Sequence, residues 1–390
     1  MDDGQIVFSQ LMAWVPRRSL DACVRRYQGE RRVRRFSCRD QFLCMAFAQL
    51  TYRESLRDIE TCLRAMGAKL YHAGFRCGRV SRSTLADANE RRDWRIWADL
   101  AAVMIGHARK LYASDAMNVQ LQQTVYAFDS TTIDLCLSLF PWASFRRRKG
   151  AVKLHTLIDL RGNIPCFIRV THGRVHDVKA LDHLPIEAGA FYVMDRGYLD
   201  FARLHRFEST KAFFVIRAKK NLDFAVNESR PVDKATGLRC DQTITLRGVK
   251  SLKNYPERLR RIRYTDPGTG QRLVLLTNCF MLDALTVTQL YKARWQVELF
   301  FKWIKQNLRI KAFFGTSPNA VKTQIWVAVC VYVLVAILAK EQAITRSPSD
   351  ILQILGIMLF EKVPVNQALM ADIKDLPGGD DHNQLVLFDF

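Results

Sequence analysis

The sequence predicts an α/β protein with a helical N-terminal part, a mixed sheet crossed by helices, and further helices at the C-terminal end. Three observations lead there. Residues 1 to about 118 carry apolar residues at helical spacing, with few strand-like runs. From Thr124 the pattern changes to alternating, strand-type segments. The stretch from Leu290 to Leu308 has no Pro or Gly and reads as one long helix.

In the N-terminal part, Cys38 to Leu50 is an apolar-rich helix with Arg39 and Asp40 at its start. Tyr52 to Met66 is a second helix, with Glu54, Arg57 and Arg64 on its polar side. A connection containing Gly67, Gly74 and Gly78 follows. Ser81-Arg82-Ser83-Thr84 then opens a third helix, with Ser81 or Ser83 as its N-cap. Two helices, a turn and a helix opening with Ser, Arg and Thr suggest a helix-turn-helix unit, and an ordinary helical bundle is the competing reading. A long helix from Asp93 to Leu111 leads out of this part.

The strand region begins with Thr124 to Ile133, which contains Asp129. A basic loop, Phe145 to Gly150, precedes strands at Val152 to Leu160 and Ile164 to Thr171, joined by a Gly162-Asn163 hairpin turn. A helix at Val178 to Leu184 follows, then a strand from Phe191 ending at Asp195. Tyr198 to Ser209 reads as a helix and Ala212 to Arg217 as a strand. The order β-β-β-α-β-α-β is the plan of an RNase H-like core. Residues 219–285 interrupt it with short β-like pieces at Gln242 to Leu246, Leu259 to Tyr264 and Leu273 to Thr277, read as a β-rich insertion. The apolar run Ile325 to Leu338 spans 14 residues, short of the roughly 20 a membrane span needs, and reads as a buried helix. An amphipathic helix at Asp350 to Phe360 and a polar, mobile tail complete the chain. The expected layout is 1–118 helical and DNA-binding, 119–218 first part of the core, 219–285 insertion, 286–345 long helix and core completion, and 346–390 helix and tail.

Composition narrows the function. Among 390 residues there are 59 Lys and Arg against 38 Asp and Glu, a formal net charge of +21. Such an excess calls for a polyanionic partner. The cations lie in many segments, including Arg17-Arg18, Arg31 to Arg35, Arg146 to Lys149 and Arg258 to Arg263. That spread suits a long nucleic acid better than one small anion. Apolar residues make up 49% of the chain, which excludes a disordered protein. The ten cysteines show no C-x-x-C pair, and the acidic start has no signal peptide, so reduced thiols in the cytoplasm are expected. His172 and His176 form H-x-x-x-H, but Gly173 and the strand-like context argue against a zinc pair.

Two features carry chemistry. At roughly 100° per residue, Tyr291, Arg294, Glu298 and Lys305 fall within about 60° of each other on one helix face. A carboxylate among cations and a phenol suits a site holding a divalent metal beside phosphates. A solvated polar face with an Arg294–Glu298 pair is the plainer alternative. The second feature is a set of acids. Asp129 lies on the first strand and Asp195 ends the fourth, which are neighbours in the expected sheet, and Glu298 comes from the helix packed across it. Metal-assisted phosphoryl transfer needs carboxylates converging on two divalent ions. Asp134 has the opposite strand parity, and Asp159 is a weaker candidate.

The spacing Tyr291-x2-Arg294-x3-Glu298-x6-Lys305 resembles the Tyr-Arg-Glu-Lys signature of DDE transposases of the insertion-sequence-four family. Asp129 in Phe-Asp-Ser-Thr and Asp195 in Met-Asp-Arg-Gly-Tyr resemble that family's first and second acids. The match covers about residues 120 to 340. Phe42 to Arg57 resembles the small domain that precedes this core in many members. The resemblance implies cut-and-paste transposition of double-stranded DNA through a hairpin intermediate. Asp129, Asp195 and Glu298 would hold two Mg²⁺ ions, with Mn²⁺ able to substitute. Tyr291, Arg294 and Lys305 would bind phosphates, with Lys149 and Lys153 adding backbone contacts. Trp295 and Trp303 are candidates for base stacking, against helix packing as the alternative. The partners would be the terminal inverted repeats and target DNA, with a homodimer pairing two ends and no membrane. The expected location is the bacterial cytoplasm, at the nucleoid. A descendant that only binds DNA, and a nuclease without strand transfer, are the competing readings.

Overall fold

A computed structural model of the chain describes residues 4–115, 121–146, 149–307 and 313–370. The N-terminal part contains α1 (Val7–Ala13), α2 (Arg17–Arg26), α3 (Cys38–Leu50), α4 (Leu56–Ala65), α5 (Arg82–Arg91) and α6 (Arg95–Leu111). The sheet region contains β1 (Val125–Leu135), β2 (Ser144–Arg146), β3 (Lys149–Asp159), β4 (Ile164–His172), β5 (Phe191–Met194), α7 (Phe201–Ser209), β6 (Phe213–Arg217), β7 (Phe224–Arg230), β8 (Leu238–Leu246), α8 (Val249–Asn254), β9 (Leu259–Thr265) and β10 (Arg272–Thr277). Then come α9 (Ala284–Ala293), α10 (Trp295–Asn307), α11 (Pro318–Glu341), α12 (Pro348–Met358) and α13 (Val365–Met370). The expected boundary at 118/119 and the expected tail beyond residue 370 lie outside the described residues.

Helix α3 starts where a capping box closes. The Ser37 hydroxyl accepts from the Asp40 N–H, and Asp40 accepts from the Ser37 N–H. Almost every residue of α3 is buried, as expected of a helix that is apolar all round and sits at the centre of a bundle. The buried Asp40 carboxylate also accepts the Arg76 N–H at 2.8 Å, which pins the 66–81 connection onto the start of α3. Asp40→Ala strands these donors and is expected to cost about 3 kcal/mol, read as a lower urea midpoint with an unchanged m-value.

That connection corrects the helix-turn-helix expectation. Helices α4 and α5 are separated by a long segment that folds inward and buries Leu70, Ala73 and Phe75. A helix-turn-helix needs a turn of about three or four residues. Ser81 does cap α5, through the Thr84 N–H.

One mixed sheet runs through the rest of the chain, in the order β2-β3-β1-β5-β6-β10-β9-β8-β7, with β4 on β3. β1 pairs antiparallel with β3 and parallel with β5, and β5 pairs parallel with β6. The Gly162-Asn163 turn forms as expected, with φ of 72° and 55° at its two residues, the left-handed pair a tight hairpin requires. Part of the supposed basic loop is paired instead, since Arg146 opposes Lys149.

The β-rich segment expected at 219–285 joins the central sheet. β10 pairs antiparallel with β6, so β10, β9, β8 and β7 extend the central sheet by four strands. β7 escaped the strand pattern because its middle, Asn227-Glu-Ser, is exposed and polar, as an edge strand can be. Two helix expectations also change. Val178 to Leu184 is a 3₁₀ segment, Asp177–His183, and the helix expected from Tyr198 starts at Phe201 behind an Asp200 N-cap.

Helices cover both sheet faces. α9 and α10 lie on one, with α9 against β5 and β6 and α10 against β1 and β3. α7 lies on the other, over Phe128, Tyr192, Phe214 and Ile216. Helix α11, capped by Ser317 with Pro318 at its first position, runs buried between α3, α5, α6 and β4. Its length and composition would suit a membrane span, but most of its surface is packed inside the protein. The expected Asp350 to Phe360 helix forms as α12.

Candidate active site

Strand register brings the two aspartates together. Phe128 of β1 is level with Met194 of the parallel neighbour β5. Asp129 and Asp195 each follow by one residue, so they stand side by side, at strands roughly 4.8 Å apart. Their parity is that of Ala127 and Val193, which face the layer of α9 and α10. Asp134, of opposite parity, is exposed. Asp159 is held elsewhere, by Arg109 at 3.2 Å.

The expected single helix from 290 to 308 is two helices meeting at Arg294. There the backbone tightens: the Arg294 N–H reaches the Tyr291 carbonyl and the Val297 N–H reaches the Arg294 carbonyl. The one-face stripe persists across the junction. Arg294 donates to Asp129 at 2.6 Å and to Glu298 at 2.5 Å. The Tyr291 hydroxyl donates to Asp195 at 3.2 Å. Residues 165 positions apart in the chain are thus joined by one guanidinium fork. Lys305 is half-buried in the last turn of α10.

Burial pushes the Asp129 carboxyl up to about 6, with the neighbouring Asp195 and Glu298 charges adding to it and the Ser130 N–H and Arg294 opposing. Burial, then the Asp195 charge, moves the Tyr291 phenol up to about 12, so it stays a donor at neutral pH. Asp129, Glu298 and Asp195, linked through Arg294 and Tyr291, carry the hard oxygen donors a divalent cation takes. Among the described residues no three side chains already stand in a metal-holding arrangement. Arg294 supplies the positive charge between Asp129 and Glu298. The donor chemistry fits a divalent ion, and loading one requires Arg294 to release a carboxylate.

The two further lysines differ. Lys149 is exposed at the start of β3. Lys153 is turned inward, ion-paired with Asp177 at 3.0 Å and bonded to the Val175 carbonyl. Asp177 also accepts from Ser130, the residue after Asp129, at 2.8 Å. Buried His155, its pKa lowered to about 4 by burial, closes this cluster as a neutral ring. Asp177 was missed because it sits in a short turn-rich segment with no strand or helix period; its one signal was the adjacent His176. Trp303 is buried against Tyr332, whereas Trp295 is exposed. His172 packs against Trp142 and belongs to no metal cluster among the described residues.

Fold and site define an α/β protein with half-buried carboxylates gripped by an Arg-Tyr helix face. Residues 120–334 match the Transposase DDE domain family, and residues 3–76 match a domain of unknown function (DUF4372). The y4zB protein of Sinorhizobium fredii, named as a transposase, is 32% identical over 71% of this chain and 77% of its own length. A Geobacillus stearothermophilus protein, named as a transposase for insertion sequence element IS5377, is 30% identical over 66% of this chain and 67% of its own. A piggyBac transposase in a synaptic complex with hairpin DNA aligns over 94% of this chain and 81% of its own, at 10% identity and a TM-score of 0.44, too loose to establish a shared fold. The chain belongs to the DDE transposase family. It is a DNA transposase, acting as a nuclease and strand transferase, and enzymes of this domain use divalent metals.

Proposed function

We propose that this protein moves an insertion sequence by cut-and-paste transposition, with Asp129, Asp195 and Glu298 as its metal-binding acids. The observation that carries the assignment is the Arg294 fork joining Asp129 to Glu298, beside the Tyr291–Asp195 bond. The acids would hold two Mg²⁺ ions, which when bound activate the attacking oxygen and stabilise the leaving one. With Glu298, Tyr291, Arg294 and Lys305 complete the Tyr-Arg-Glu-Lys signature of the insertion-sequence-four family. They orient the scissile phosphate and screen its charge, since phosphoryl transfer depends on placement and electrostatics. Lys149 adds a backbone contact. Lys153 acts through Asp177 and Ser130, holding the β1 segment that carries Asp129. The antiparallel β4-β3-β1 set followed by parallel β5 and β6 supports an RNase H-like core. Strand cleavage, a hairpin at the element's end and strand transfer complete the reaction, in a homodimer that pairs two ends at the nucleoid.

The N-terminal part grips DNA without a helix-turn-helix. A cavity of about 640 Å³ there is lined by Arg34, Arg35, Arg76 and Arg79, with Glu30 as its one acid. Changing Arg34 and Arg35 to Ala is expected to lower the salt slope of end binding by about two units, measured by fluorescence anisotropy.

The test of the function uses purified protein, Mg²⁺ and DNA carrying the ends of the flanking element. Nicks, hairpins and joined strands on denaturing and native gels are the expected products. Cleavage with no strand joining would favour a nuclease, and binding with no cleavage would leave only a DNA-binding role.

A further inference from the structure

The four strands that extend the sheet carry a second concentration of positive charge, mainly on the face opposite the acids, and it meets them at the edge where β5 and β6 end. A cavity of about 250 Å³ opens where β6, β9 and β10 meet the loops after β5 and β6. Its wall holds Arg196, Arg217, Lys219, Lys220, Arg261 and Arg272, and no acidic residue. Among the described residues, none of the six has a carboxylate within ion-pair distance. Like charges this crowded repel, by up to about 1 kcal/mol per close pair even in water, and an anionic ligand relieves that.

The cavity is built. Lys219 donates to the Leu199 carbonyl, tying the loop after β6 to the loop after β5. Arg261 donates to Gln242 at 2.8 Å and lies over the Phe224 ring at 4.9 Å, which fixes its guanidinium. Phe224, Leu222 and Val274 give the cavity an apolar lining. The near end adjoins the acid centre. Arg196 directly follows Asp195, and Arg217 ends β6 beside β5, close enough to Tyr291 to act on its charge.

We propose that this basin is a backbone cradle for the DNA strand adjoining the scissile phosphate: its cations hold phosphodiester groups and its apolar lining takes a sugar. The proposal rests on the acids being the cutting site. It gives the extension of the sheet a role: Arg217, at the end of β6 on the acids' side, leads the strand over the sheet edge to Arg261 and Arg272 on the opposite face.

Lys220 and Arg272 are exposed and serve as probes. The full-length Lys220→Ala/Arg272→Ala protein is titrated with a labelled duplex carrying an element end and its flank, over a range of salt. The log–log salt slope is expected to fall by about two relative to wild type, because each phosphate contact contributes about 0.9. Methylphosphonates placed beside the cleavage point are expected to weaken wild-type binding and to leave the double variant unaffected. Equal slopes for the two proteins would overturn the cradle, as would a variant that stays as sensitive to methylphosphonates as wild type. If the alanine variant folds poorly by thermal melting, Lys220→Gln/Arg272→Gln gives the same readout. Glu298→Ala separates the two readings: it tests the acids through cleavage, whereas the cradle is read through binding.

Discussion

Glu298→Ala is expected to lower metal-dependent strand cleavage by at least about 10³-fold and to leave binding of the element's ends near wild type. The magnitude follows from the chemistry: metal stabilisation of a phosphoryl transition state contributes several kcal/mol, and each 1.36 kcal/mol is about tenfold in rate. The direction follows from the site. Removing Glu298 frees one arm of Arg294, which still pairs with Asp129 at 2.6 Å. Asp129 then keeps its guanidinium, and the proposed acid set loses one of its three members. Binding is expected to survive because the basic cavities proposed to hold DNA lie elsewhere, in the N-terminal part and along the extended sheet. The measurement is single-turnover cleavage of end DNA beside anisotropy with the same duplex. Cleavage that persists within about tenfold of wild type would remove Glu298 from the acid set.

Arg260→Met is expected to destabilise the protein by about 3–5 kcal/mol, the range found when one partner of a buried ion pair is removed. Arg260 and Asp241 are 4% and 6% exposed, and two bonds of 2.8 and 2.7 Å join them. Without Arg260 the Asp241 carboxylate is left in the sheet, with the weaker Arg230 contact at 3.5 Å. Arg260 also donates to the Cys279 and Leu282 carbonyls, which hold the turn leading into α9. The substitution therefore disturbs the approach to Tyr291 as well. The thermal midpoint is expected to drop by roughly 4–6 °C, from an unfolding entropy of about 2.1 cal/mol/K per residue over the 390 residues. The double change Arg260→Met/Asp241→Leu should recover much of the loss, because it leaves no uncompensated charge. A double variant as unstable as the single would show that the ion pair is not the cause.

The parts legible in the sequence were those with a local physical signal. An apolar-rich run opening with Arg39 and Asp40 announced α3, and Gly162-Asn163 announced a hairpin. Strand parity placed Asp129 and Asp134 on opposite faces, and helical spacing put Tyr291, Arg294 and Glu298 on one stripe. What escaped depends on partners far away in the chain. The pairing of β10 with β6 joins residues about 60 apart, so no local pattern shows that the β-rich segment joins the central sheet. β7 lacks alternation because an edge strand has few neighbours to satisfy. The break at Arg294 is a matter of backbone hydrogen bonding, which residue type does not reveal. Asp177 works through Ser130 and Lys153, contacts that exist only once three segments have folded together.

Helix α11 has a consequence for how the chain is made. It completes the core of α3, α5 and α6, yet it leaves the ribosome more than 200 residues after them. At about 5–20 residues per second, the first helices wait roughly 10–50 s for the segment that seals them. In that interval the nascent N-terminal part exposes apolar surface suited to chaperones, and a chain cut short before residue 318 would be a substrate for proteases.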